Sequence, residues 1–60
     1  MMVSFVDRRG FRREITIRRR EDHYAIFVDN CFYCTVDSRA EASEEIDALI
    51  EQEGYHAAAI

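Results

Sequence analysis

The side chains of this sequence that could do chemistry are two cysteines, two histidines, a well-placed serine, a run of acids, and arginines interleaved with tyrosines. Cys31-Phe32-Tyr33-Cys34 has the Cys-x-x-Cys spacing of redox and zinc motifs. On a regular strand, residues three apart project to opposite faces with Cα atoms about 10 Å apart, beyond the roughly 7 Å that a disulfide spans. A redox pair normally opens a helix, whose dipole lowers the thiol pKa, and no helix pattern begins here. A zinc site needs four ligands, and without a second cysteine pair only His23 and His56 remain to supply them. The expectation is two structural cysteines, no metal and no cofactor. His23 and His56 have no nucleophile placed beside them by a recognisable motif, and Ser38 is better read as a helix cap. With only Gly10 and Gly54 in the chain there is no glycine-rich phosphate loop. The reading is therefore of a protein that is not an enzyme.

The charges are unevenly distributed. Residues 1–20 hold seven arginines against Asp7 and Glu14, 7 − 2 = +5, whereas residues 21–60 hold Arg39 against ten acids, 1 − 10 = −9, giving the net −4. All eight basic residues are arginine, whose flat, bidentate guanidinium suits interfaces and phosphates. Two arrangements are consistent with this split: a basic ribbon folded against an acidic element of the same chain, or two surfaces of opposite sign facing different partners.

Sixty residues with 48% hydrophobic and 33% charged side chains suit one small globular domain, too charged for a membrane segment and too apolar for disorder. A chain of this length buries only about 60% of its unfolded surface, so its core is marginal. No run reaches the roughly 18 apolar residues of a membrane helix, and residues 1–10 lack the basic start and apolar stretch of a secretory signal. A cytoplasmic location without membrane contact is expected.

The elements that position these side chains follow from periodicity. Residues 3–7 form a short β-type run, and Arg8-Arg9-Gly10 supplies a turn. From Phe11 the chain alternates, with Phe11, Arg13, Ile15, Ile17 and Arg19 on one face and Arg12, Glu14, Thr16, Arg18 and Arg20 on the other. After a polar turn, residues 23–28 and 31–36 make a hairpin about Asp29-Asn30, two residues that tolerate positive φ. Ser38 with Glu41 forms a capping box, and Ala42, Ile46, Leu49 and Ile50 follow one helical stripe up to Gly54. Tyr55 is expected to pack back on the helix, and residues 56–60 to be a frayed extension. The fold class is α+β: an antiparallel three- to four-stranded β-meander over a single domain, 1–60, with one C-terminal α-helix packed on one sheet face.

Both faces of the 23–36 hairpin are apolar, so one helix cannot cover both. Placing the helix on the side of Phe11, Ile15, Ile17, Phe27, Phe32 and Val36 leaves Tyr24, Ile26, Val28 and Tyr33 outside, beside Arg12, Thr16 and Arg18. That outer face, Arg12, Arg18, Tyr24, Ile26 and Tyr33, reads either as a homodimer surface or as a stacking and phosphate platform for nucleic acid. The helix acids Glu44, Glu45, Asp47 and Glu51 read as a ridge that docks on a basic protein partner.

The stretch from Glu14 to Ile50, with Glu14-Ile15-Thr16-Ile17, Glu21-Asp22-His23-Tyr24-Ala25, Cys34-Thr35, Ala40-Glu41-Ala42 and Glu45-Ile46 in order, resembles the small sheet-and-helix domain of HicB-like antitoxins. That resemblance implies binding and inhibition of a small RNA-cleaving toxin. A similar strand-to-helix order occurs in the arm-binding domains of phage integrases, which implies DNA binding, and small acidic lysine-free chains resemble phage-encoded inhibitors. The leading expectation is a non-enzymatic protein-binding regulator or inhibitor acting through the acidic helix and apolar sheet face and forming a homodimer. The alternative is a nucleic-acid-binding module using the arginine and tyrosine sheet face.

Overall fold

The computed structural model of the chain describes residues 1–57. Alternation and turn chemistry produce strands β1 (Met2–Val6), β2 (Arg12–Arg19), β3 (Tyr24–Val28) and β4 (Cys31–Val36), then helix α1 (Arg39–Glu53) and a two-residue strand β5 (His56–Ala57). They form one antiparallel sheet in the order β4-β3-β2-β1-β5. The architecture is α+β with the helix following the four-stranded meander. Residues 56–57 are a correction to the expected frayed tail: they pair with Phe5 and Val6 because the chain leaving the helix runs back along the free edge of β1. Residues 58–60 lie outside the described residues.

Each turn is set by its residues. Asp29 and Asn30 have φ of 51° and 65°, the left-handed pair that a two-residue hairpin requires. Asp7 closes the β1–β2 turn by accepting the Arg9 and Phe11 amides on Oδ1, both at 2.9 Å, while Gly10 takes a φ of 86° that costs a glycine nothing. Ser38 caps α1, its Oγ accepting the Glu41 amide at 3.2 Å. Glu41 returns to the Asp37 amide rather than to that of Ser38, so the capping box is offset by one residue. Ser38→Ala should cost about 1 kcal/mol, read as a fall of about 4–8 °C in melting temperature; an unchanged melting curve would show that the cap contributes nothing.

Gly54 ends the helix at φ 68°, its amide donating to the Ile50 carbonyl. A Cβ at Gly54 would run into the Arg8 side chain, whose Cγ lies 2.9 Å from that position. The Arg8 charge thus sits at the negative end of the helix dipole.

The core corrects the expected choice of sheet face. Ile15, Ile26, Val36, Ala42 and Leu49 are buried together, with Phe5, Ile17, Tyr24, Val28, Cys34, Ile46 and Tyr55 packed against them. The helix therefore covers the Tyr24/Ile26/Val28 side, and Phe27 and Phe32 lie on the opposite face. The cause is the β2–β3 register, which sets Ile15 opposite Val28 and Ile17 opposite Ile26; partners across an antiparallel ladder share a side, and a one-residue slip would have exchanged the faces. Phe11, expected in the core, precedes β2 and is 62% exposed.

A third correction concerns the cysteines. The β3–β4 register shifts between Ile26 and Phe27, pairing Cys34 with Ile26 and Cys31 with Val28 and leaving Tyr33 without a partner in the ladder. This bulge puts both cysteines on the helix side of the sheet rather than on opposite sides. Both are free, Cys31 exposed and Cys34 half-buried; burial and the nearby Glu45 charge raise the Cys34 pKa.

Candidate functional site

The outer face of the sheet is built from alternate residues of β1 to β4. The registers place Met2 opposite Thr16, Thr16 opposite Phe27, and Phe27 opposite Phe32, so these four form one row across the strands. Arg18, Ala25 and Thr35 form the neighbouring row. Phe27 and Phe32 meet edge to face, with ring centroids 6.0 Å apart. The Arg18 guanidinium carbon lies 5.2 Å from the Phe27 centroid, within cation–π range. Phe32 is 63% and Met2 62% exposed, and Arg12 and Arg18 are exposed as well. Arg12 donates to Ser4 Oγ at 3.0 Å, which uses one of its five N–H groups.

The sequence-predicted residues are thus divided. Arg12 and Arg18 share the outer face as expected. Tyr24 and Ile26 do not join them: Ile26 is 0% exposed in the core and Tyr24 packs against that core. Tyr33 is the exposed bulge residue at the sheet edge. The aromatic members of the outer face are instead Phe27 and Phe32. Glu44, Glu45, Asp47 and Glu51 are all exposed on α1, with Glu45 close enough to the sheet for its charge to act on Cys34.

Among the described residues, arginine forms ion pairs only through Arg13, and no helix acid is paired. The basic and acidic halves therefore meet through the Arg13–Asp29 ion pair and through Arg8 at the C-terminal end of α1, and not through an ion pair to a helix acid. The outer sheet face holds Arg12 and Arg18 against Glu14, and α1 holds six acids against Arg39.

Sequence reasoning missed the Arg13 cluster. Arg13 donates through Nε to Asp7 Oδ2 at 3.0 Å and through Nη1 to Asp29 Oδ2 at 2.7 Å, while Asp29 Oδ1 accepts the Glu14 amide at 2.9 Å. The signal available was two turn aspartates, Asp7 and Asp29, at the same end of adjacent hairpins. Burial pushes the Asp7 pKa up, but hydrogen bonds from the Phe11 amide, Arg13 and the Arg9 amide outweigh it and leave it below 3.8. Asp29 is lowered by the Arg13 hydrogen bond first and the Glu14 amide second.

Carboxyls with depressed folded-state pKa values stabilise the fold above the ordinary aspartate value of 3.8, and that contribution is lost as the pH falls through their folded values. The melting temperature should fall as the pH drops below 3.8, and Arg13→Met should lower it at neutral pH and flatten that dependence. Parallel curves for the two proteins would exclude the cluster as the source. Its groups are mutually satisfied, so the cluster is a clamp between turns rather than a reaction centre.

Among the described residues, no group of three or more His, Cys, Asp or Glu side chains is placed to hold a metal. No helix of the described residues is long and apolar enough to cross a membrane. No protein-family model, curated protein or solved structure matches the chain.

Proposed function

We propose that the protein is a small non-enzymatic binding module of the cytoplasm that takes nucleic acid on its outer sheet face. The observation that carries the reading is Arg18 lying over Phe27 beside the exposed Phe32, a cation and an aromatic surface side by side with no acid paired to either. Guanidinium groups hold phosphates, and aromatic rings accept bases. The net charge of −4 opposes tight binding but does not govern the site, because the helix acids lie across the sheet and their field is screened over about a Debye length. The experiment is a fluorescence-anisotropy titration of labelled DNA and RNA oligonucleotides at low salt. Saturable binding that weakens steeply with salt supports the reading, and no anisotropy change contradicts it.

A second reading has its own observation. Glu44, Glu45, Asp47 and Glu51 are exposed on α1 and free of ion pairs among the described residues, which suits docking on a basic protein by the regulator or inhibitor mode that the HicB-like resemblance implies. Charge reversal at Glu44 and Glu51 would abolish capture of such a protein while leaving oligonucleotide binding intact. This second reading leaves the outer sheet face free for a homodimer through the exposed Met2 and Phe32, in place of the expected Tyr24 and Ile26, whereas on the first reading the nucleic acid occupies that face.

A further inference from the structure

We propose that this sheet face selects single-stranded over duplex nucleic acid, holding bases along the Met2–Thr16–Phe27–Phe32 row and a phosphate on Arg18; the inference rests on the nucleic-acid reading above. Proteins read duplexes chiefly by inserting a helix or a two-stranded ribbon into the major groove, which is about 12 Å wide. The helix of this chain cannot do so. It carries Glu41, Glu44, Glu45, Asp47, Glu51 and Glu53 against Arg39, and it would meet the phosphates with like charge.

The sheet is also broader than an undeformed major groove. With neighbouring strands about 4.8 Å apart, β1 to β4 span about 14 Å before side chains are added, and β5 widens the sheet further. An undeformed duplex would touch this broad face through its phosphates and leave Phe32 unused, and placing Phe32 against its bases would first require unstacking a step, at a cost of a few kcal/mol. A single strand has unstacked bases to lay on it, and an antiparallel sheet of about four strands offers room for two or three of them.

The arrangement also ranks the residues. Arg18 adjoins the aromatic pair, whereas Arg12 is six residues away on the same strand, about 20 Å, with Glu14 between them on the same face. Arg18 therefore holds the phosphate next to the stacked base, and Arg12 reaches only a longer strand.

The test compares a labelled short oligothymidylate with a hairpin duplex of similar length, using the full chain and Phe32→Ala, whose folding is checked by circular dichroism. The single strand should bind at least about tenfold more tightly than the duplex, and Phe32→Ala should weaken single-strand binding at least about fivefold, the lower end of what one stacked base contributes, while leaving duplex binding unchanged. Equal affinity for both, with Phe32→Ala neutral, overturns the single-strand inference and leaves the nucleic-acid reading standing. Failure of the folded protein to bind either probe overturns both. Loss of a dimer on sedimentation of Phe32→Ala, without oligonucleotide binding by the parent chain, would instead assign the face to self-association and also overturns both.

Discussion

Ile26→Glu should abolish the cooperative thermal transition altogether. Ile26 is 0% exposed, at the centre of a core whose other buried members are Ile15, Val36, Ala42 and Leu49. Removing the buried side chain costs about 2–5 kcal/mol in lost transfer and cavity energy, and a carboxylate forced into its place adds several more or must protonate. A core of this size supplies only about 3–5 kcal/mol in total, so the sum exceeds the stability available. The measurement is a far-ultraviolet circular dichroism melt, which should show no transition. A folded Ile26→Glu protein with altered sedimentation would instead mean that Ile26 faces out. Phe32→Glu is the companion: at 63% exposure it should melt within a few degrees of the parent, because the carboxylate stays in water.

Arg18→Glu should produce the largest functional effect without an effect of that size on folding. Arg18 is exposed and makes no ion pair among the described residues, so its replacement removes only the cation–π contact with Phe27, about 0.5–1 kcal/mol at an exposed site. Binding loses more. On the proposed nucleic-acid function the phosphate contact would disappear, a like charge would replace it, and the platform would lose the cation beside its stacked base. Affinity for a single strand should fall by more than about tenfold, and the slope of log K against log salt should shrink by about 0.7, the share of one phosphate on a single strand. Arg12→Glu should fall short of that effect on a short oligonucleotide. If the two substitutions were equivalent, the charge would act as a diffuse field and the aromatic row would not be the binding axis.

Much of the fold is legible in local chemistry. Asp29-Asn30, Ser38 with Glu41, the Ala42–Ile46–Leu49–Ile50 stripe and Gly54 each specify a turn, cap or face through interactions a few residues long, and the structure has each of them. Three features were not legible, for a common reason: they depend on register between segments. The turn before Tyr24 sets Ile17 opposite Ile26 rather than one residue along, and that single step decides which aromatic residues are core and which are surface. The bulge at Tyr33 leaves no composition signal, yet it moves Cys31 and Cys34 to one side. The pairing of His56 and Ala57 with β1 depends on where the helix releases the chain.

The candidate site was half legible for the same reason. Arg12 and Arg18 follow from alternation within β2, whereas their aromatic neighbours depend on the β2–β3 register, so Phe27 and Phe32 stand where Tyr24 and Ile26 were expected. The Asp7–Arg13–Asp29 clamp joins residues up to 22 positions apart, 29 − 7 = 22, and no periodicity foretells it.

The most direct test of the outer sheet face as the binding surface is a map of nuclear magnetic resonance shifts on the isotope-labelled chain titrated with a short single-stranded oligonucleotide. The predicted result is perturbation concentrated at Thr16, Arg18, Ala25, Phe27 and Phe32, with the exposed side of α1 at Glu44, Asp47 and Glu51 unmoved. Perturbation confined to α1, or none at saturating oligonucleotide, would contradict it.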